Sequence, residues 1–379
     1  MPAALVFAQN STSPINSTNE TESNFKFSGY LSIVGGKTIS GTLDQNYSGP
    51  QNIKDTNCPC YVADWSNAGV YGNQLTLRPE SRVGIQGKYT INPQASLTTQ
   101  LVSRGTHATP DITWAFASYK LNENFELQVG RKRIPLYYYS DFQDIGVSYP
   151  WISPPPELYG WEATNYNGAS LRYSRNIGDA NLNASIFGGQ EKVNSSSFQK
   201  LYYPVDRTEV QWNSLIGADV EVNSGPLTVR AVAMSTKVRT TNNNSANFIN
   251  DSANLKAYGL AMNLDFDKWF VLSEVTQLTR SHHASQYSGQ YKVTAPAVTI
   301  GAGMRFGKWT PFINYAKYDE KTSDPSQYNP GVYDRTSATL RYDLDSSSTV
   351  KTQLDRNTDV TNNFGGHSTV FRISYDRVF

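Results

Sequence analysis

Long hydrophobic runs are missing from this chain of 379 residues. No stretch approaches the roughly 18 apolar residues that a membrane-crossing helix needs. Any crossing would have to be made by a closed sheet, because an open edge leaves backbone groups unsatisfied in hydrocarbon. Hydrophobic residues make up only 38% of the chain, and its mean hydropathy is −0.50. A charge excess is also lacking. The net charge of +1 gives no reason to expect a nucleic-acid partner. Cysteine is almost absent, with two residues in Asn57-Cys58-Pro59-Cys60. A zinc site would need further ligands, and the local stretch has no histidine. A local or intersubunit disulfide, a merely structural pair and a metal site are the readings left. Histidine is equally scarce. His107, His282, His283 and His367 all fall in or near predicted loops. No Ser–His pair lies at strand spacing, and there is no HExxH motif, metal-spaced carboxylate cluster or phosphate-cradling glycine loop. His282 and His283 read as two solvated loop residues. No catalytic residue, metal or cofactor is expected.

Aromatic residues are abundant instead, at 12% with 24 Tyr. By length the chain suits two or three soluble domains or one large barrel. The dominant signal is period-two alternation. Phe25, Phe27, Gly29, Leu31 and Ile33 alternate with Lys26, Ser28, Tyr30 and Ser32. Tyr258, Leu260, Met262 and Leu264 alternate with Gly259, Asn263 and Asp265, and the pattern recurs to the C-terminus. Breaks divide it into sixteen strands: 24–35, 77–91, 96–104, 112–121, 125–134, 168–177, 181–189, 210–222, 227–235, 255–266, 269–279, 294–306, 310–318, 335–344, 349–356 and 367–379. Connections alternate between short turns, such as 92–95 and 178–180, and longer loops at 37–74, 105–111, 137–167, 190–208, 236–253, 281–292, 319–334 and 356–366. An even count with short and long connections in turn is the pattern of a bacterial transmembrane antiparallel β-barrel, both ends on the periplasmic side. Trp269 and Trp309, beside short turns, would mark that rim.

Residues 1–23 read as a signal remnant and polar tail, and 24–379 as the barrel. Leu5-Val6-Phe7-Ala8 resembles the end of an export signal. A soluble β-sandwich also alternates, but sixteen strands would bury Arg, Lys, Asp and Glu in its core at several kcal/mol for each unpaired charge. A water-filled lumen removes that cost.

Three features resemble the Gram-negative general porins, which are trimeric, 16-stranded diffusion channels. The first is the last strand, Thr369 to Phe379, in which Phe371, Ile373 and Tyr375 alternate and the chain stops on Phe379. In that family a terminal aromatic strand is the signal read by the assembly machinery; Arg377 departs from the usual ending. The second is the segment after the fifth strand. Loop 137–167 is long, proline-rich and aromatic, and the resemblance implies that it folds into the lumen and narrows it. Packing on a subunit neighbour is the alternative. The third is charge. Asp141, Asp144, Glu157 and Glu162 lie on the loop, while Arg82, Arg104, Lys132 and Arg172 lie on nearby strands. Set on opposite sides of a pore constriction they would create a transverse field. If Val129 faces lipid, alternation turns Arg131 and Arg133 outward, and a bulge at Gly130 would bring them in.

The reading is a water-filled outer-membrane channel, not an enzyme, for small hydrophilic solutes. Inward cations such as Lys26, Lys88, Arg230 and Arg305 outnumber inward anions, which leans toward anion preference. A selective channel for small anionic nutrients, carboxylates or phosphate, is the alternative; an adhesin with a plugged lumen is a third class. The expected partners are outer-membrane lipid and lipopolysaccharide, two further copies of the chain, and the permeating solutes.

Overall fold

A computed structural model describes residues 24–42, 58–202, 207–242, 250–284, 289–360 and 366–379. The export-signal reading falls on residues outside these. In chain order the strands are β1 (Phe25–Thr42), β2 (Tyr61–Asp64), β3 (Gly69–Tyr71), β4 (Arg82–Thr90), β5 (Ala95–Arg104), β6 (Asp111–Lys120) and β7 (Phe125–Arg133). After a long segment come β8 (Asn165–Ile177), β9 (Ala180–Val193), the short helix α1 (Ser197–Lys200), β10 (Thr208–Ser224), β11 (Leu227–Asn242), β12 (Asn250–Asp265) and β13 (Trp269–His282). The chain ends with β14 (Tyr291–Met304), β15 (Trp309–Asp319), β16 (Lys321–Thr322), β17 (Val332–Asp343), β18 (Ser348–Asp359) and β19 (His367–Val378).

Each wall strand pairs antiparallel with its sequence neighbours. The sheet has 17 strands, of which β16 is a two-residue addition to the edge of β14, so sixteen form the wall. β1 closes the ring by pairing with both β4 and β19. At the seam Gly29 N–H donates to the Phe379 carbonyl at 2.7 Å, and Phe379 N–H donates back at 2.9 Å. A Cβ at Gly29 would sit 2.5 Å from the Phe379 ring, so a larger residue there would push the ring from its place.

Short turns join strand pairs at one end. Asn92 and Asn122 each accept backbone N–H groups two and three residues on, which stabilises their turns. The turn after β8 needs a left-handed residue, supplied by Gly178 at φ 59°. The outward face carries an apolar belt in which Phe27, Ile186, Ile216 and Ile313 are each more than 60% exposed. A ring of this kind is stable only against hydrocarbon. Phe266–Trp269 and Trp309–Tyr342 form aromatic pairs at the short-turn rim. The last strand follows the same rule: Phe371 and Ile373 point out, while Arg372, Ser374 and Asp376 are buried inside.

Several strands run further outward than alternation suggests. β11 reaches Asn242 and β12 begins at Asn250, inside the loop expected over 236–253. In this outer half the inner face is apolar. Val232, Met234, Val238, Leu255, Ala257 and Leu278 are all buried. The loop expected over 37–74 is also partly structured. β2 and β3 form a hairpin whose Tyr61, Ala63 and Tyr71 are buried together with Val370 of β19. Cys58 and Cys60 at its base are joined in a disulfide.

Candidate functional site

Segment 134–164 leaves β7 and returns into β8, and between them it packs against inward-facing side chains from much of the wall. Arg230 donates to the Tyr137 carbonyl at 2.7 Å and the Pro135 carbonyl at 2.8 Å. Glu274 accepts from Tyr138 N–H at 2.9 Å and from the Tyr159 hydroxyl. Farther along, Lys351 donates to the Gly146 carbonyl at 2.6 Å, and Arg341 to the Val147 carbonyl at 2.9 Å. Gln353 accepts from Ile152 N–H at 2.9 Å. Gly146 is required at its place, since a Cβ there would lie 1.9 Å from the Asp376 carboxylate. Tyr137, Tyr139, Trp151, Leu158 and Tyr159 join the apolar inner face of β10–β15 in one core. Prolines 154–156 lie at its far bend and limit how the chain can turn there.

The structure divides the residues singled out from sequence into two groups. The first is buried. Asp144 receives a bidentate pair from Arg104 at 2.8 Å on both oxygens and a contact from Arg133, while Arg82 donates to its carbonyl at 2.8 Å. Burial alone would raise the Asp144 carboxyl, but Arg104, Arg133 and Arg82 override it and hold it well below the usual carboxylate range. Glu157 pairs with Arg335 at 3.0 Å, and Arg335 bonds Asp355 at 2.9 Å. Arg372 bonds the same Asp355 at 2.7 Å and Glu80, beneath the hairpin, at 2.6 Å. Glu162 pairs with Arg280, whose guanidinium lies over the Trp161 ring. These acids and bases touch directly instead of facing each other across water, so they clamp the segment to the wall.

The second group stays open to solvent. Asp141 is exposed on the segment and Arg172 is exposed on β8, and neither makes an ion pair among the described residues. Lys132 is half-buried, donates to Ser170 at 3.0 Å and lies over the Phe116 ring. Asp141, Arg172, Glu126 and Asp219 all lie within electrostatic reach of it. Toward the short turns, Lys26 and Lys88 stand directly opposite each other in register on the inner face.

Gly130 adopts φ 139°, but the pairing of β7 with β6 and β8 runs through it without a register shift, so no bulge forms there. Val129 is exposed, Arg133 reaches the Asp144 cluster, and Arg131 instead pairs with Glu191 at 2.7 Å. Arg335, Glu80 and Asp376 were not singled out from sequence. A signal for Glu80 existed in the apolar residues of Tyr61-Val62-Ala63 and Val70-Tyr71, too many for a solvated loop. The histidines differ from the sequence expectation as well. His282 is buried, 2.9 Å from Asp251 and stacked on Tyr291, because β13 runs on through it. His107 Nδ1 lies 2.8 Å from Asp111, and its Nε2 lies 3.2 Å from the Ser197 hydroxyl of α1. That Ser–His contact spans 90 residues, so no local spacing could have revealed it.

No protein-family model matches the chain, and no curated protein matches it. Solved structures do. A loop-deletion mutant of OmpT, an outer membrane protein of Vibrio cholerae, aligns with TM-score 0.60 at 10% identity, over 94% of this chain and 99% of that one. The fold is that of the outer-membrane porins. An anion-selective porin from Comamonas acidovorans aligns at TM-score 0.58 and 13% identity, over 94% of this chain and 99% of that one. The outer membrane channel DcaP of Acinetobacter baumannii aligns at 0.59 and 9%, over 94% and 97%. The porin-like barrel of this chain is thus shared with chains only 9–13% identical to it.

Proposed function

We propose that this barrel is a channel of the bacterial outer membrane through which small hydrophilic solutes diffuse, with a preference for anions. The observation that carries the proposal is the facing pair Lys26 and Lys88. Like charges directly opposite in a sheet repel. Their placement on an inner face makes sense where mobile anions can screen them. Asp141 on segment 134–164 lies within electrostatic reach of Lys132 and supplies an acidic group to the narrowed region. Segment 134–164 sets the aperture, and the buried clamps keep it there. So much of the outer inner face is packed that we favour a narrow path, which suits small anionic nutrients such as carboxylates or phosphate. By analogy with the porin fold, the working unit is a homotrimer in outer-membrane lipid. Reversal potentials across planar bilayers in a salt gradient test the charge reading. Anion preference that falls severalfold in the Lys26→Gln/Lys88→Gln variant supports it, and cation preference sinks it. Closure in three equal conductance steps would support the trimer.

Among the described residues, the chain Asp111–His107–Ser197 is the arrangement that favours a second reading, a serine hydrolase. We read it as a tie between the outer ends of β5–β6 and β9–β10, because it sits on two surface turns. A fluorophosphonate probe should leave Ser197 unlabelled. Labelling that disappears in Ser197→Ala would establish an enzyme instead.

A further inference from the structure

The connection between β1 and β4 leaves the wall at the end opposite the short turns, and its β2–β3 hairpin comes down on the inner face of β19. Val370 of β19 is fully buried, and among the described residues it clusters only with Tyr61, Ala63 and Tyr71 of the hairpin. The Tyr61 ring lies 5.5 Å from the Arg372 guanidinium, and both side chains are shielded from water. A cation–π contact is strongest in such a place.

The tip of the hairpin reaches much farther. Asp64 accepts from the Asn67 N–H at 3.0 Å and from its side-chain amide at 2.8 Å, which holds the turn. Trp65 in that turn lies 5.9 Å from the Tyr333 ring of β17 and 6.1 Å from the Phe198 ring of α1. It is buried in one cluster with Leu201 and the Cys58–Cys60 pair. α1 lies between β9 and β10, the seventh and eighth of the sixteen wall strands, whereas β19 is the sixteenth. The hairpin therefore touches points about half a ring apart. Contacts so placed have to be made over the mouth of the barrel.

Segment 134–164 lies against the same turn. Trp161 N–H donates to the Ser66 hydroxyl at 3.1 Å, and a Cβ at Gly160 would sit 2.5 Å from the Trp65 ring. The two insertions divide the lumen between them. The segment fills the side of β10–β15, and the hairpin covers the inner face of β19. Water still reaches inward residues of β8, where Arg172 and Ser174 are exposed.

We propose that the β2–β3 hairpin is a size filter in its own right, a crossbar over the outer mouth that turns away branched or oligomeric solutes before they meet segment 134–164. Tyr61 on Arg372 holds one end, and Trp65 on Phe198 holds the other. A bar across the mouth divides one wide opening into narrower ones, so it acts on solute width and leaves charge preference to the wall beneath. The proposal rests on the channel reading.

Liposome swelling with uncharged sugars tests it, with a pentose and a trisaccharide as probes. Wild type should admit the pentose and exclude the trisaccharide. Tyr61→Ser/Trp65→Ser should admit the trisaccharide about tenfold faster than wild type, with the reversal potential in a salt gradient unchanged. Gly160→Val, which drives the Trp65 ring from its seat, gives the same readout if the double variant yields no heat-shifting barrel. Hairpin placement is read separately through Val370→Cys, since the two native cysteines are joined to each other. A water-soluble maleimide should label that thiol slowly in an otherwise wild-type barrel and about tenfold faster beside the Tyr61 and Trp65 substitutions. Rapid labelling with the hairpin intact overturns the proposal. So does continued exclusion of the trisaccharide by a variant whose Val370→Cys labels rapidly. Wild type that excludes the pentose as well fails the channel reading instead. In that case trisaccharide entry through the double variant still upholds the crossbar, and its absence overturns it.

Discussion

Asp144 is the most densely paired carboxylate on segment 134–164. It meets three arginines from β4, β5 and β7, and all four side chains are shielded from solvent. Removing one member of such a cluster leaves uncompensated buried charge, at about 3–5 kcal/mol. Asp144→Ala should therefore release segment 134–164 and raise single-channel conductance severalfold. Barrel folding, read as the heat-dependent gel shift, should persist because the wall pairing is untouched. Unchanged conductance would mean the clamp does not set the aperture. The acid behaviour follows from the sign of the shift. A carboxyl held below its unfolded value contributes stability that is fully present above that value and is lost as pH falls through the lowered one. Wild type should accordingly keep its conductance through pH ~4 and change only in stronger acid.

At the scale of elements, legibility depended on whether a signal was local. Every wall strand was readable, because lipid on one face and polar groups on the other enforce a period of two. Strand ends on the outer side of β10–β13 were not. There the inner face turns apolar to meet Tyr139, Trp151 and Tyr159, so both faces stop contrasting in the way the alternation requires. Segment 134–164 announced itself through length, proline and aromatics. Its charges were legible as a set, but which of them touch and which stay wet was not, because that depends on a fold back across the lumen. The β2–β3 hairpin was hidden for the same reason, since its anchor Glu80 meets Arg372 from 292 residues away. Gly130 is a different case: a bulge there was the route expected to bring Arg131 and Arg133 inward, yet the register is continuous, and Arg133 meets Asp144 at the last residue of β7.

For the whole molecule the decisive contact is the seam. Deleting Phe379 removes two backbone hydrogen bonds and the ring that covers Gly29. The yield of heat-shifting barrel should drop severalfold, whereas Phe306→Ala, an outward aromatic at the same rim, should cost far less. Equal yields would show that Phe379 carries no special weight. The seam also imposes an order in time. Gly29 and Phe379 lie at opposite ends of the described chain, so this contact cannot form until Phe379 has been added. Up to that moment β1 and β19 are both bare edges, each able to template pairing with another chain. A chain that loses its last strand early is not merely weakened. It has nothing left with which to cover β1, and its fate is set by whatever strand arrives first.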